Sequence, residues 1–121
     1  MSLEDALLTH FEWKLTFRTA ILQQEKLDAT QIADTCGCDF GHWLEHEGRI
    51  NCGHFPGYAQ LVENHRLFHL EAGRVAELIN AGRYQEAEDA IAVGPSEYSR
   101  LSSAVGSGIA ELRKLLAQQV C

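Results

Sequence analysis

Proline is scarce in this chain, long apolar runs are missing, and basic residues are outnumbered. Only two prolines interrupt 121 residues, while 45% of the residues are hydrophobic. Few helix breakers and ample apolar content suit a helical chain. No apolar stretch approaches the length a membrane span needs. The segment Met1-Ser2-Leu3-Glu4-Asp5 has neither the basic nor the apolar region of a secretory signal, so a cytoplasmic location is expected. Ten Lys and Arg against 17 Asp and Glu leave a formal charge of −7. Such a surface repels phosphate backbones and anionic headgroups, which argues against nucleic acid and against direct membrane contact. The length fits one domain, residues 1–121, with an ordinary core. Neither an internal repeat nor a low-complexity tract breaks it up.

Cysteines are also too few for a disulfide scaffold. There are four, Cys36, Cys38, Cys52 and Cys121, in company with six histidines. In a reducing compartment that mixture points to metal binding before crosslinking. A Cys36–Cys38 dithiol switch is disfavoured, because one intervening residue strains an ordinary disulfide ring.

Apolar spacing organises the chain into helices. Residues 3–26 read as one long helix on Leu3, Leu7, His10, Lys14, Phe17 and Ile21, with Ser2 as N-cap. Asp28 or Thr30 caps a short turn through Ala33, which ends near Cys36-Gly37-Cys38. Residues 40–47 form another short helix, which Gly48 is expected to stop, and Gly48 to Gly57 reads as the clearest loop. A second long helix runs from Tyr58 to Ala81, with Leu61, His65, Phe68, His69, Ala72, Val75, Ala76 and Ile79 inward. A shorter helix over 83–93 presents Tyr84, Ala87 and Ile91. Gly94-Pro95-Ser96 combines a stop with a cap. The last helix, 97–119, carries a heptad seam of Tyr98, Leu101, Val105, Gly108, Leu112 and Leu115, suited to a bundle or to self-association. The expected fold is all-α, an antiparallel four-helix bundle with a short extra helix that carries a cysteine.

His65 and His69 stand at i and i+4 on the apolar stripe of the second long helix, so both imidazoles face inward about a turn apart. The bland reading is two satisfied core histidines. His10 lies on the inward stripe of the first helix, where a lone histidine is more often a hydrogen-bonded core residue than a ligand. Together they weigh differently. Three buried imidazoles left unpaired would each cost roughly several kcal/mol, and one shared cation removes the cost for all. Spacing leaves the fourth ligand open. Cys38, His42 and His46 lie at i, i+4 and i+8 on one face and could form a rival site, as could a Cys36/Cys38 pair. His42 and His46 flank Trp43 and Leu44 in an acidic short helix and read better as surface residues.

Three blocks, in order, resemble the chemoreceptor zinc-binding domains found in bacterial chemoreceptors and some diguanylate cyclases. His10-Phe11-Glu12-Trp13 is similar to the family's His-x-x-Trp segment. Cys38-Asp39-Phe40-Gly41-His42-Trp43-Leu44 is similar to its Cys-x-[Leu/Phe]-Gly-x-Trp-[Leu/Ile] signature. His65-Arg66-Leu67-Phe68-His69, followed by Ala72, is similar to its His-x-x-[Phe/Met]-His block. The resemblance spans residues 10–72 and implies a zinc ion held by His10, Cys38, His65 and His69. It further implies a sensory domain that sets the activity of a signalling output domain in cis or in trans, and a homodimer. Residues 83–121 share only their helicity with the family.

Three nitrogens and a thiolate make a closed tetrahedral set, whereas catalytic zinc keeps a position open for water. The chain also lacks an HExxH arrangement, a nucleophile–base pair and a phosphate-cradling glycine loop. Glu12 and Glu63 read as ordinary solvated carboxylates. A binding function is therefore expected, without catalysis. The single thiolate is open to oxidants, so either zinc or an oxidant can be the stimulus. Two rivals stand beside this reading. One is a bundle in which zinc is only a structural staple. The other is a hemerythrin-like iron or oxygen-binding bundle, which needs inward carboxylates that the second long helix does not offer.

Overall fold

The computed structural model describes residues 2–92 and 96–118, with every side chain there except that of Cys36. The elements are α1 (Leu3–Gln23), α2 (Ala29–Ala33), a 3₁₀ turn (Thr35–Gly37), α3 (Asp39–Glu45), α4 (Glu47–Cys52), α5 (Tyr58–Asn80), α6 (Tyr84–Ile91) and α7 (Glu97–Gln118). Among the described residues all regular structure is helical. None of these helices is long and apolar enough to cross a membrane.

Short polar side chains start several helices by satisfying free amides. The Ser2 hydroxyl accepts from the Asp5 amide, the Asp28 carboxylate from Gln31 and the Ser96 hydroxyl from Ser99. α5 ends in a Schellman pattern: Gly82 takes a left-handed φ of 76°, and the Arg83 amide donates to the Leu78 carbonyl. Gly94 and Pro95, the expected stop before α7, lie outside the described residues, as does Cys121.

α5 is the central element. It packs against α7, α2 and α6, and α1 also lies against α7. Every inward residue expected on α5 is buried, including both histidines. On α7 the strict heptad fails. Ile109 and Gly106 are buried, whereas Gly108 and Leu115 are half-buried. A straight helix advances 3.6 residues per turn, so a seven-residue repeat drifts by about 20° per heptad.

The expected stop at Gly48 and the loop from Gly48 to Gly57 do not hold as drawn. The break falls at His46, and α4 continues helically through Gly48 to Cys52. Gly48 serves contact and not termination: a Cβ there would meet the Trp43 ring at 3.0 Å. Only residues 53–57 remain irregular. Cys52, expected in a loop, instead ends α4 with its side chain fully buried.

The stretch from Leu27 to α4 is tied to α5 near both of its ends. Asn80 accepts from the Leu27 amide at 2.8 Å and donates to its carbonyl at 2.7 Å. The Tyr58 hydroxyl donates to the Leu44 carbonyl at 2.6 Å. These ties bring the Cys38 segment over the middle of α5.

Candidate metal centre

The four donors reach the centre from three helical supports. His10 comes from the buried face of α1, His65 and His69 from successive turns of α5, and Cys38 from the N-cap position of α3. The three imidazoles are buried and Cys38 is half-buried. The nearest donor atoms of all four lie within 4.8 Å of one another.

Gly41 permits this convergence. A Cβ there would come within 2.6 Å of the Thr35 carbonyl oxygen and 3.0 Å of His65 Cε1. Any larger residue would lift the first turn of α3 away from α5. Phe40 closes the same side, its ring edge-on to His10 at 5.6 Å and to His65 at 5.1 Å.

Backbone carbonyls set two of the tautomers. His10 Nδ1 lies 2.7 Å from the Ala6 oxygen and His69 Nδ1 lies 2.8 Å from the Ile32 oxygen. Carbonyls only accept, so each Nδ1 carries the proton and each Nε2 presents a lone pair inward. Both lone pairs point at His65 Nε2, at 3.0 Å from His10 and 3.1 Å from His69. His65 Nε2 can donate one proton to one of them. The other Nε2 lone pair is then left facing a nitrogen with no second proton to give, unless a cation sits among them.

The distances suit zinc. A tetrahedral ion at about 2.0–2.1 Å from nitrogen and about 2.3 Å from sulfur has N···N edges of about 3.3 Å and N···S edges of about 3.6 Å. Two of the N···N separations here are 3.0 and 3.1 Å, Cys38 Sγ lies 3.8 Å from His10 Nε2 and 3.6 Å from His65 Nε2, and all four donors stay within 4.8 Å of one another. A set of three imidazoles and one thiol also matches zinc better than the carboxylate-rich sets of di-iron bundles.

Protonation is already favourable at the histidines. Burial, then the neighbouring His69 and His10, pushes His65 down to about 2. Burial also lowers His10 and His69. All three are therefore neutral at physiological pH, the form that binds metal. Burial moves the Cys38 thiol up, only partly offset by the Gly41 and Phe40 amides. Without a cation it is a thiol.

The alternatives that spacing left open separate here. His42 and His46 are exposed, with rings stacked 4.2 Å apart, and neither belongs to the donor cluster. The Cys36 side chain lies outside what is described. Glu12 and Glu63 are exposed, the latter paired with Arg66. Sequence reasoning missed Gly41 as a positioning residue and the carbonyls of Ala6 and Ile32 as partners of the imidazoles. The glycine stood inside the matched signature, but backbone partners leave no mark on sequence.

A search of the curated proteins and a search of the solved structures each found no match. The family model of the chemoreceptor zinc-binding domain matches residues 10–76, more than half of the chain and all four donors.

Proposed function

The chain belongs to the chemoreceptor zinc-binding domain family, and from that premise we propose that it binds one zinc ion through His10, Cys38, His65 and His69 as a sensory, non-catalytic domain. The observation that supports the ligand assignment is the convergence of three imidazole nitrogens and one sulfur within 4.8 Å of one another. We place the domain, residues 1–121, in the bacterial cytoplasm as an antiparallel four-helix bundle with the cysteine at the N-cap of a short crossover helix. Its output is a signalling module of chemotaxis or cyclic-di-GMP synthesis, attached in cis or met in trans.

Bound at this site, zinc supplies a charge that holds Cys38 as a thiolate and joins α1, α3 and α5 through common ligands. The protein supplies the rest. Ala6 and Ile32 orient two imidazoles, burial keeps all three neutral, and Gly41 lets α3 approach. The three histidines sit on helices of 21 and 23 residues, whereas Cys38 precedes a helix of 7. A short segment opens locally at lower free energy than a long packed helix. Release of Cys38, by zinc loss or by oxidation of its sulfur, is therefore the step that changes the domain. Self-association has a ready surface: Leu8, Leu15 and Leu22 recur every seventh residue on α1, with 58%, 67% and 81% exposure. We propose a homodimer to which α1 and α7 contribute.

Metal analysis of the purified protein tests the core of this reading. About one zinc per chain is expected, with most of it lost in His65→Ala, His69→Ala and Cys38→Ser. Full zinc retained by all three variants would remove the site from these residues, and iron in place of zinc would favour the hemerythrin-like rival.

A further inference from the structure

The donor cluster is open to solvent on one side. A groove of about 730 Å³ runs between the first turns of α1 and the α2–α3 connection, and His10, Cys38 and His69 form part of its lining. Its apolar wall is Trp13, Leu27, Ile32 and Phe40. Four carboxylates stand along it: Asp5 from the start of α1, Asp28 and Asp34 from the two ends of α2, and Asp39 from the first turn of α3. Among the described residues no lysine or arginine lines this groove.

None of the four aspartates belongs to the donor cluster. Their charge acts on whatever approaches it. Like charges on low-dielectric walls focus the field inside a cleft and raise the local concentration of counter-ions. Charges closer to the path than the Debye length, about 8 Å at physiological salt, are only partly screened. The cation-binding donors in the lining identify what the field serves.

Resting on the zinc assignment above, we propose that this groove is the path by which zinc exchanges with solvent, and that its aspartates make it selective by charge. Cations are drawn toward the donors. Anions, including anionic chelators and anionic thiol reagents, are turned away from Cys38, while neutral reagents pass. The selectivity belongs to the groove and not to the ligands, so the approach can be altered with the ligand set intact.

Two measurements on the full chain test this. In the first, metal-free protein is treated with a cationic trimethylammonium-ethyl and an anionic sulfonatoethyl methanethiosulfonate, and modification of Cys38 is followed by peptide mass spectrometry. Relative to the same pair of reagents on 2-mercaptoethanol, the cation should be favoured on the order of tenfold at low ionic strength, as steering in charged clefts provides. The preference should fade toward unity near 1 M salt, where the Debye length is about 3 Å. Asp5→Asn/Asp39→Asn should lower it at least about threefold, and Asp5→Asn alone, on α1 and not on the Cys38 segment, should give part of that change. In the second, stopped-flow zinc association should slow in the same variants by a similar factor while still reaching one zinc per chain. One zinc per chain with no charge preference at Cys38, or a preference unchanged by the aspartate substitutions, would overturn the groove while leaving the ligand assignment standing. A wild-type protein that holds no zinc would overturn the ligand assignment, and zinc exchange with it, whatever the reagents report.

Discussion

Zinc titrated into the metal-free protein at a series of pH values should displace one proton per ion across the neutral range. The four ligands differ in what they must lose. Burial lowers His10 and His69 below their ordinary value of 6.5 and takes His65 to about 2, so all three are neutral before zinc arrives. Cys38 is raised above its ordinary value of 9.0 by the same burial, so it still carries its proton and must release it to become a ligand. Apparent affinity should therefore rise about tenfold per pH unit between about pH 6.5 and 8.5, or about 1.4 kcal/mol per unit. Competition against a chelator of known pH dependence reads the affinity. Calorimetry in buffers of different ionisation enthalpy counts the protons directly. Cys38→Ser should bind more weakly and with a flat pH dependence over the same range. A wild-type slope near zero would mean that no thiol is deprotonated on binding. A slope of two or more would mean that the histidines are charged in the metal-free protein, and either result would refute the reasoning.

The same burial makes the metal-free protein sensitive to acid. The three histidines have folded-state values lowered from 6.5, so the unfolded chain takes up protons first as pH falls. Stability is full above about 6.5 and lost below it, by up to about 1.4 kcal/mol per pH unit for each histidine, as urea midpoints at stepped pH would register. Gly41→Ala should weaken zinc at least about tenfold, because its Cβ would meet the Thr35 carbonyl and the His65 ring; undiminished affinity would show that α3 can shift at no cost. On zinc removal, hydrogen exchange should rise first over residues 35–50, with smaller change over 60–80, and equal change in both would make zinc a structural staple and end the sensor reading. Light scattering at micromolar concentration should give a dimer, and Leu15→Glu, on the exposed α1 stripe, should shift it toward the 13.5 kDa monomer; a monomeric wild type would count against the dimer.

How far the sequence determined this protein follows from the range of the forces involved. Helix existence is a local property. Steps of three and four residues, together with Ser2, Asp28 and Ser96, mark α1, α2, α5 and α7 to within a few residues, because capping and periodicity act between neighbours in the chain. The inward direction of His10, His65 and His69 was legible for the same reason. The choice of the fourth donor was not local. Cys38, His42 and His46 share a spacing that satisfies a metal as well on paper, and family resemblance was needed to prefer Cys38. In the folded protein the packing of α3 on α5 turns Cys38 inward and leaves His42 and His46 in solvent. Gly48 was misread because glycine has two uses, ending a helix and admitting a neighbour, and only the Trp43 ring beside it reveals the second. Tertiary structure alone decided the roles of the Ala6 and Ile32 carbonyls and of the aspartate-lined groove, since each depends on atoms brought together from distant or backbone positions that no residue pattern records.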